Sequence, residues 1–278
     1  MSEGVVVSGA STGIGAATVE LLAQKGYVAF AGVRTPADAE RLAALHENVR
    51  PITLDVTSAE SIAAAAAEVR ASGVPLLGVV SNAGIALGGP LETLPIAVLR
   101  RQFETNVFGA LAFVQAFLPM LPENRGRVVF VGSISGRLAT PYVGPYSASK
   151  FALRSLSDSM RIELAPAGIS VSLIEPGSVK TPIWQKGRDN QKQLYENLGE
   201  NPRAHYRRAL ESVVNATNHE ERTAMPVDVV SQSIYHALTD AKPKLQHILG
   251  FPARMGSIIA SLPAGLRSLI MRSAMRLP

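Results

Sequence analysis

Val5-Val6-Val7-Ser8-Gly9-Ala10-Ser11-Thr12-Gly13-Ile14-Gly15 decides the architecture. Three β-branched residues make an extended run, and the glycine-rich turn after it feeds an Ala/Leu-rich stretch over 14–24 that Gly26 stops. Glycines permit positive φ and remove the Cβ that blocks close approach. A helix that starts there offers free N–H groups and positive potential to a phosphate. Three glycines also suit an ordinary strand–helix connection. Their position directly after a Val-rich strand favours a dinucleotide site.

Outward from this turn the same alternation repeats. Extended runs fall at 5–8, 27–33, 49–54, 76–81, 127–132, 169–174 and 245–249. Helical stretches fall at 37–46, from a Thr57 or Ser58 cap to 71, at 95–121, 146–164 and 227–238. The central runs are apolar without alternation, as in strands buried on both faces. Strand and helix in turn predict an α/β fold: a doubly wound parallel sheet of about seven strands with helices on both faces. Residues 1–250 form one dinucleotide-binding and catalytic domain. Within it, the polar stretch 183–225 breaks the rhythm and is expected to insert over the C-terminal edge of the sheet, where ligands sit in such folds. Residues 251–278 form a basic, amphipathic helical extension.

Composition narrows the function. The chain has 278 residues, 47% of them hydrophobic, and no cysteine, which removes disulfides, thiolate metal sites and Cys nucleophiles. The five histidines, His46, His205, His219, His236 and His247, are never closer than eleven residues, so none pair on a helix face and no metal site is expected. Six bases and no acid lie beyond residue 240. Subtracting these six from the chain's 27 bases leaves 21 against 22 acids in residues 1–240. A near-neutral body argues against nucleic acid as partner. No signal-peptide pattern precedes Val5, and no apolar run reaches the ~18 residues of a spanning helix, so a cytoplasmic location is expected.

The turn has the spacing G-x-x-x-G-x-G. It resembles the T-G-x-x-x-G-x-G turn of the short-chain dehydrogenases/reductases, with Ser8 in place of Thr. Further motifs agree in order. Asn82-Ala83-Gly84 is similar to the family's N-N-A-G, with Ser81 at its first position. Asp55-Val56 follows the third run, and Asn106 lies in the helix after Asn82. Ser133 ends the fifth run, and Tyr146-Ser147-Ala148-Ser149-Lys150 is an intact Y-x-x-x-K. Pro176-Gly177 with Thr181 matches the turn that borders the nicotinamide. The resemblance covers about 4–182 and continues more weakly to 250. It implies an oxidoreductase interconverting a ketone or aldehyde and an alcohol. The competing class is a redox-inactive dinucleotide-binding regulator on the same fold, which has no need of a proton relay.

The resemblance implies a cofactor held by Gly9, Ser11, Thr12, Gly13, Ile14, Gly15, Asp55, Val56, Asn82, Ala83, Gly84, Tyr146, Lys150, Pro176, Gly177, Val179 and Thr181. The second run ends Ala31-Gly32-Val33-Arg34-Thr35 with no carboxylate for a ribose 2′-OH. Arg34 suits a 2′-phosphate instead, so NADP(H) is expected ahead of NAD(H).

The implied catalytic set is Asn106, Ser133, Tyr146 and Lys150. Tyrosine's ordinary pKa of ~10 is too high for acid–base work near neutrality. Lys150, one helical turn on, is expected to bring it down. Ser133 is expected to hold the substrate oxygen, and Asn106 a water near Lys150. In the family the helices around Tyr146 and Asn106 form a dimer interface, so a homodimer or homotetramer is implied.

Gly132-Ser133-Ile134-Ser135-Gly136 and the long C-terminal extension resemble the family branch acting on lipophilic alcohols such as steroids and retinoids. The expected apolar lining of the substrate site is Ile134, Leu138, Tyr142, Ile183 and Trp184. In the tail, Leu262, Leu266, Leu269, Ile270, Ser273 and Leu277 share a helical face flanked by Arg272 and Arg276. Such a segment suits a membrane surface, docking on the body or another subunit, or a lid over the pocket, with docking and lid together ahead of the membrane. Every expected catalytic residue precedes 182, so the tail is expected to be accessory to the chemistry.

Overall fold

The computed structural model describes residues 2–182 and 221–274. Most of the expected insertion over 183–225, and the last four residues of the tail with Arg276 and Leu277, lie outside the described residues. The strands are β1 (Gly4–Val7), β2 (Val28–Val33), β3 (Val49–Thr53), β4 (Leu76–Ser81), β5 (Arg127–Val131), β6 (Ser170–Pro176) and β7 (Gln246–Leu249). They form one sheet in the order β3-β2-β1-β4-β5-β6-β7, parallel throughout. The helices are α1 (Gly13–Gln24), α2 (Pro36–Ala43), α3 (Ala59–Ala71), α4 (Ile96–Phe103), α5 (Ala110–Phe117), α6 (Gly144–Leu164), α7 (Val227–Thr239), α8 (Phe251–Ala260) and α9 (Ala264–Ala274). The doubly wound α/β expectation holds.

Alternate residues of β1 point into two separate cores. Val5 and Val7 pack with Leu22 of α1, Leu42 of α2 and Ile234 and Leu238 of α7. Val6 packs on the other face with Phe113 and Phe117 of α5 and Leu153 and Met160 of α6. Both faces are therefore covered, which is why the strands read as continuous apolar runs. Ser58 caps α3, its hydroxyl accepting from the Ser61 amide.

The chain winds outward from β1 in both directions, so the topological switch point lies between β1 and β4. Ser8, Ser81, Ser133 and Gly177 follow or end neighbouring strands at that edge.

Two elements differ from their sequence pattern. The single helix expected over 95–121 is broken by one π-helical turn, Glu104–Gly109, between α4 and α5. The tail forms two helices split around Pro263, since a proline cannot sit inside a helix without loss of a hydrogen bond. No helix among the described residues is long and apolar enough to cross a membrane.

Candidate active site

The glycine turn is shaped by its own contacts. Gly9 and Gly13 have φ of +65° and +60°. A Cβ on Gly15 would sit 2.3 Å from the Gly9 carbonyl oxygen, and one on Gly13 2.9 Å from the Thr181 methyl. No side chain can be added without closing this cradle. Asn82 pins it from β4, its Nδ2 donating to the Ser8 and Gly9 carbonyls at 3.0 Å. Ser8 Oγ accepts from the Asn82 and Ala83 amides at 3.0 and 3.1 Å. The serine thus supplies the oxygen that the family's threonine would. Thr12 caps α1 without a side-chain bond, and the first turn holds no acid. That leaves the helix N-terminus suited to an anion. A dinucleotide's pyrophosphate fits this cradle.

Around the turn the expected cofactor residues converge. The Gly13–Thr181 contact brings the segment after Pro176-Gly177 beside the turn. Val179 bridges to Met225, and the Lys180 amide donates to the Met225 carbonyl at 3.0 Å. Arg34 is exposed just past β2. Asp55 lies close enough for that guanidinium to act on its carboxyl. Burial pushes the Asp55 pKa up, but bonds from the Thr57 amide and hydroxyl, together with Arg34, outweigh it and hold the group below its ordinary value. Val56 is buried. The sequence reading missed Arg41 on α2, which ion-pairs with Asp38 at 3.0 Å and donates to the Ser11 carbonyl within the glycine turn.

Ser133, Tyr146 and Lys150 come together. Ser133, two residues past β5, has extended backbone and caps a 3₁₀ turn, Ile134–Gly136, its Oγ accepting from the Ser135 amide at 3.1 Å. Its hydroxyl also hydrogen-bonds Tyr146. Lys150 is buried, and its Nζ donates to the Val131 carbonyl at 2.8 Å, 5.8 Å from the centre of the Tyr146 ring. Burial lowers the Lys150 pKa to about 8.

One expectation needs correction. Tyr146 is not made more acidic: burial raises its pKa, and the Ser133 bond only partly offsets this. Desolvation of a neutral hydroxyl that must become an anion outweighs the Ser133 bond. The Asn106 side chain bonds within the protein. Its Oδ1 accepts from the Ile85 amide at 2.9 Å, and its Nδ2 donates to the Ile85 carbonyl at 3.0 Å and to Ser149 Oγ at 3.1 Å. Ser149 in turn donates to the Tyr146 carbonyl at 2.7 Å. Asn106 therefore braces the loop after Asn82-Ala83-Gly84 against the helix that carries Tyr146. Gln102, one turn earlier and fully buried, does the same for Leu87 and Ile85. Its spacing, four residues before Asn106 and so one helical turn away, was the signal available for it.

Among the expected substrate residues, Ile134 and Leu138 flank Arg137 in the loop after Ser133, and both meet Gly256 of α8. Tyr142 adopts φ +66°, a rare conformation for a bulky residue, and its carbonyl accepts from Gly89 at 2.7 Å. Ile183 and Trp184 lie outside the described residues. Among the described residues no cluster of three His, Asp or Glu is arranged to hold a metal.

A parallel sheet with a glycine cradle at its switch point, and a Ser–Tyr–Lys cluster one strand away, is the arrangement of a nicotinamide-dependent oxidoreductase. The model of the short chain dehydrogenase family matches residues 3–192, and the chain belongs to that family. It is 37% identical over 249 residues to the uncharacterized oxidoreductase YbbO of Escherichia coli K12, covering 89% of this chain and 85% of that one. It is 32% identical over 275 residues to retinol dehydrogenase 5 of Mus musculus, covering 94% and 85%. A short chain dehydrogenase from Burkholderia cenocepacia, solved in complex with NADP, superposes with a TM-score of 0.72 at 26% identity, covering 100% of this chain and 98% of that one.

Proposed function

We propose that the protein is an NADP(H)-dependent oxidoreductase interconverting a ketone or aldehyde and an alcohol on a lipophilic substrate. The observation that carries this reading is the meeting of Ser133, Tyr146 and the buried Lys150 beside the glycine cradle. A bound nicotinamide supplies or accepts the hydride. The chain's own residues manage the oxygen. Ser133 donates a hydrogen bond to the carbonyl oxygen and positions it. Tyr146 gives that oxygen its proton as negative charge develops. The Lys150 ammonium, held by the Val131 carbonyl, steadies the tyrosinate left behind.

Arg34, exposed past a strand end without a carboxylate, and Arg41 beside Ser11 favour a 2′-phosphate and hence NADP(H). The apolar Ile134 and Leu138, and the likeness to a retinol dehydrogenase, favour a steroid- or retinoid-like substrate. The exposed Phe108 and Phe151, on the helices around Asn106 and Tyr146, suit the subunit interface of a homodimer or homotetramer. The outward face of the tail suits peripheral contact with a membrane surface.

Incubation with NADPH and a carbonyl panel running from short polar ketones to steroids and retinal tests the reading. Cofactor consumption that grows with substrate apolarity is expected. Intact NADPH binding with no turnover of any carbonyl or alcohol would replace this function with that of a redox-inactive regulator.

A further inference from the structure

One buried carboxylate collects the parts of the site. Glu175, at the end of β6 and directly before Pro176-Gly177, is fully buried. Arg137, four residues after Ser133, grips it with two bonds: Nε to Oε1 at 2.9 Å and Nη2 to Oε2 at 2.5 Å. Such a fork fixes both distance and orientation. Arg154, one turn beyond Lys150 on α6, points Nε at the same Oε1 from 3.8 Å. The remaining donors of Arg137 reach outward. Nη2 donates to Gln246 Oε1 of β7 at 2.8 Å, and Nη1 to Ser257 Oγ of α8 at 3.4 Å.

The inward face of α8 is tied to the body through these bonds. Ala253 is buried, 3.4 Å from where a Cβ on Gly177 would stand. A Cβ on Gly256 would lie 3.0 Å from Ile134 Cγ1 and 3.8 Å from Leu138 Cδ2. The loop bearing Ser133, the nicotinamide-side turn and the first tail helix therefore touch one another and share one ion pair.

We infer that Arg137 and Glu175 are a positioning pair that locks the Ser133 loop, the Pro176-Gly177 turn and α8 into one register. In that register α8 is the wall of the substrate site, packed through Gly256 closely against Ile134 and Leu138. The inference rests on the oxidoreductase reading for its substrate, and on the bonds above for its geometry. On this reading residues 251–260 belong to the site, as the lid alternative for the tail has it.

Arg137→Lys is the test. Lysine keeps the buried positive charge and loses the fork, so a pair needed only for charge balance survives the change. As a positioning pair, its loss displaces the Ser133 loop, and misplacement by about 1 Å lowers kcat by up to ~10²-fold. Expected are a kcat at least about tenfold lower and amide hydrogen exchange that rises together in residues 133–138 and 251–260 while β1 to β4 stay protected. Gly256→Val supplies a second arm should the lysine variant not fold. It crowds Ile134 from the outside and should raise KM for a bulky ketone about tenfold while leaving a small ketone unchanged. A folded Arg137→Lys protein with wild-type kcat and wild-type exchange overturns the inference. So does a Gly256→Val protein with unchanged KM for both ketones. A wild-type protein inert towards every carbonyl sinks the oxidoreductase reading instead. The pair is then judged on exchange alone, where unchanged protection overturns it.

Discussion

Tyr146 and Lys150 carry opposite burdens of the same burial. Burial holds the tyrosine protonated and pulls the lysine towards neutrality at about 8. Carbonyl reduction needs the protonated tyrosine together with the charged lysine, so kcat/KM for reduction should fall as pH rises through about 8, where the ammonium is lost. Arginine stays charged, so Lys150→Arg should move that limb upward in any residual activity. A profile flat up to about pH 10 would remove Lys150 from this role. The lysine has a further consequence for folding. Between about pH 8 and 10.5 the unfolded chain holds this proton and the folded one does not, so its unfavourable contribution to stability shrinks as pH rises across that window. Tyr146→Phe removes one hydroxyl and little else. It should cost ~10²–10⁴-fold in turnover and leave NADPH affinity unchanged. Near wild-type turnover would exclude Tyr146 as the proton donor. At the cofactor's other end, Arg34→Asp sets a second carboxylate near Asp55 and deletes a phosphate partner. NADPH binding should weaken about ten- to a hundredfold, with NADH gaining relative to it. Titration of both cofactors checks this, and a wild type that already prefers NADH contradicts it. These residues were legible because their chemistry lies in short fixed spacings, such as Tyr146 four before Lys150. Their acidities were not, because desolvation depends on what the fold stacks over them.

The helix that carries Asn106 marks where spacing stops being informative. The sequence from 95 to 121 reads as one helical stretch, yet the backbone widens by one π turn at Glu104–Gly109. Such turns recur at functional sites, and here the turn carries Asn106 to the Ile85 backbone and Ser149. No local composition signals a π turn; it arises from contacts with a loop about twenty residues away. The same holds for Glu175 and Arg137, separated by 38 positions. Asn106→Ala should leave the Ile85 amide without its partner inside the protein, while the Ile85 carbonyl keeps the Gln102 bond. Unsatisfied buried polar groups cost about 1–3 kcal/mol each, so chemical denaturation should show a loss of that order. Turnover should fall with it, because Ser149 and the Tyr146 turn lose their brace. Wild-type stability and turnover together would show that the Asn106 bonds do not support the site.

At the scale of the molecule, the sheet was readable because each strand is buried on both faces and shows itself as an apolar run, while the tail was not. Its leucines suit several environments, and though Pro263 marks the break between the two helices, the pattern does not say which of them packs on the body. The inward face of α8 is used by the body, yet Phe251, Met255 and Ile258 remain exposed on its other side, as do Leu266 and Leu269 on α9. No residue of α9 is buried. The segment beyond residue 240 has bases and no acids, so an anionic lipid surface complements it both in charge and in apolarity. A chain ending at residue 261 keeps α8 and the whole candidate site while losing Leu266, Leu269, Arg267, Arg272 and Arg276. Full-length protein should therefore bind vesicles containing anionic phospholipid, and the shortened chain should bind them weakly or not at all. Salt should weaken the full-length interaction, since charge attraction at a surface is screened over ~8 Å at physiological ionic strength. Turnover of a small soluble ketone should survive the truncation, because Ser133, Tyr146, Lys150 and the wall at Gly256 all remain. Co-sedimentation with vesicles and sedimentation velocity together decide the matter. If vesicles bind neither form and the shortened chain forms a smaller oligomer, the exposed face of α9 belongs to a second subunit and not to a membrane.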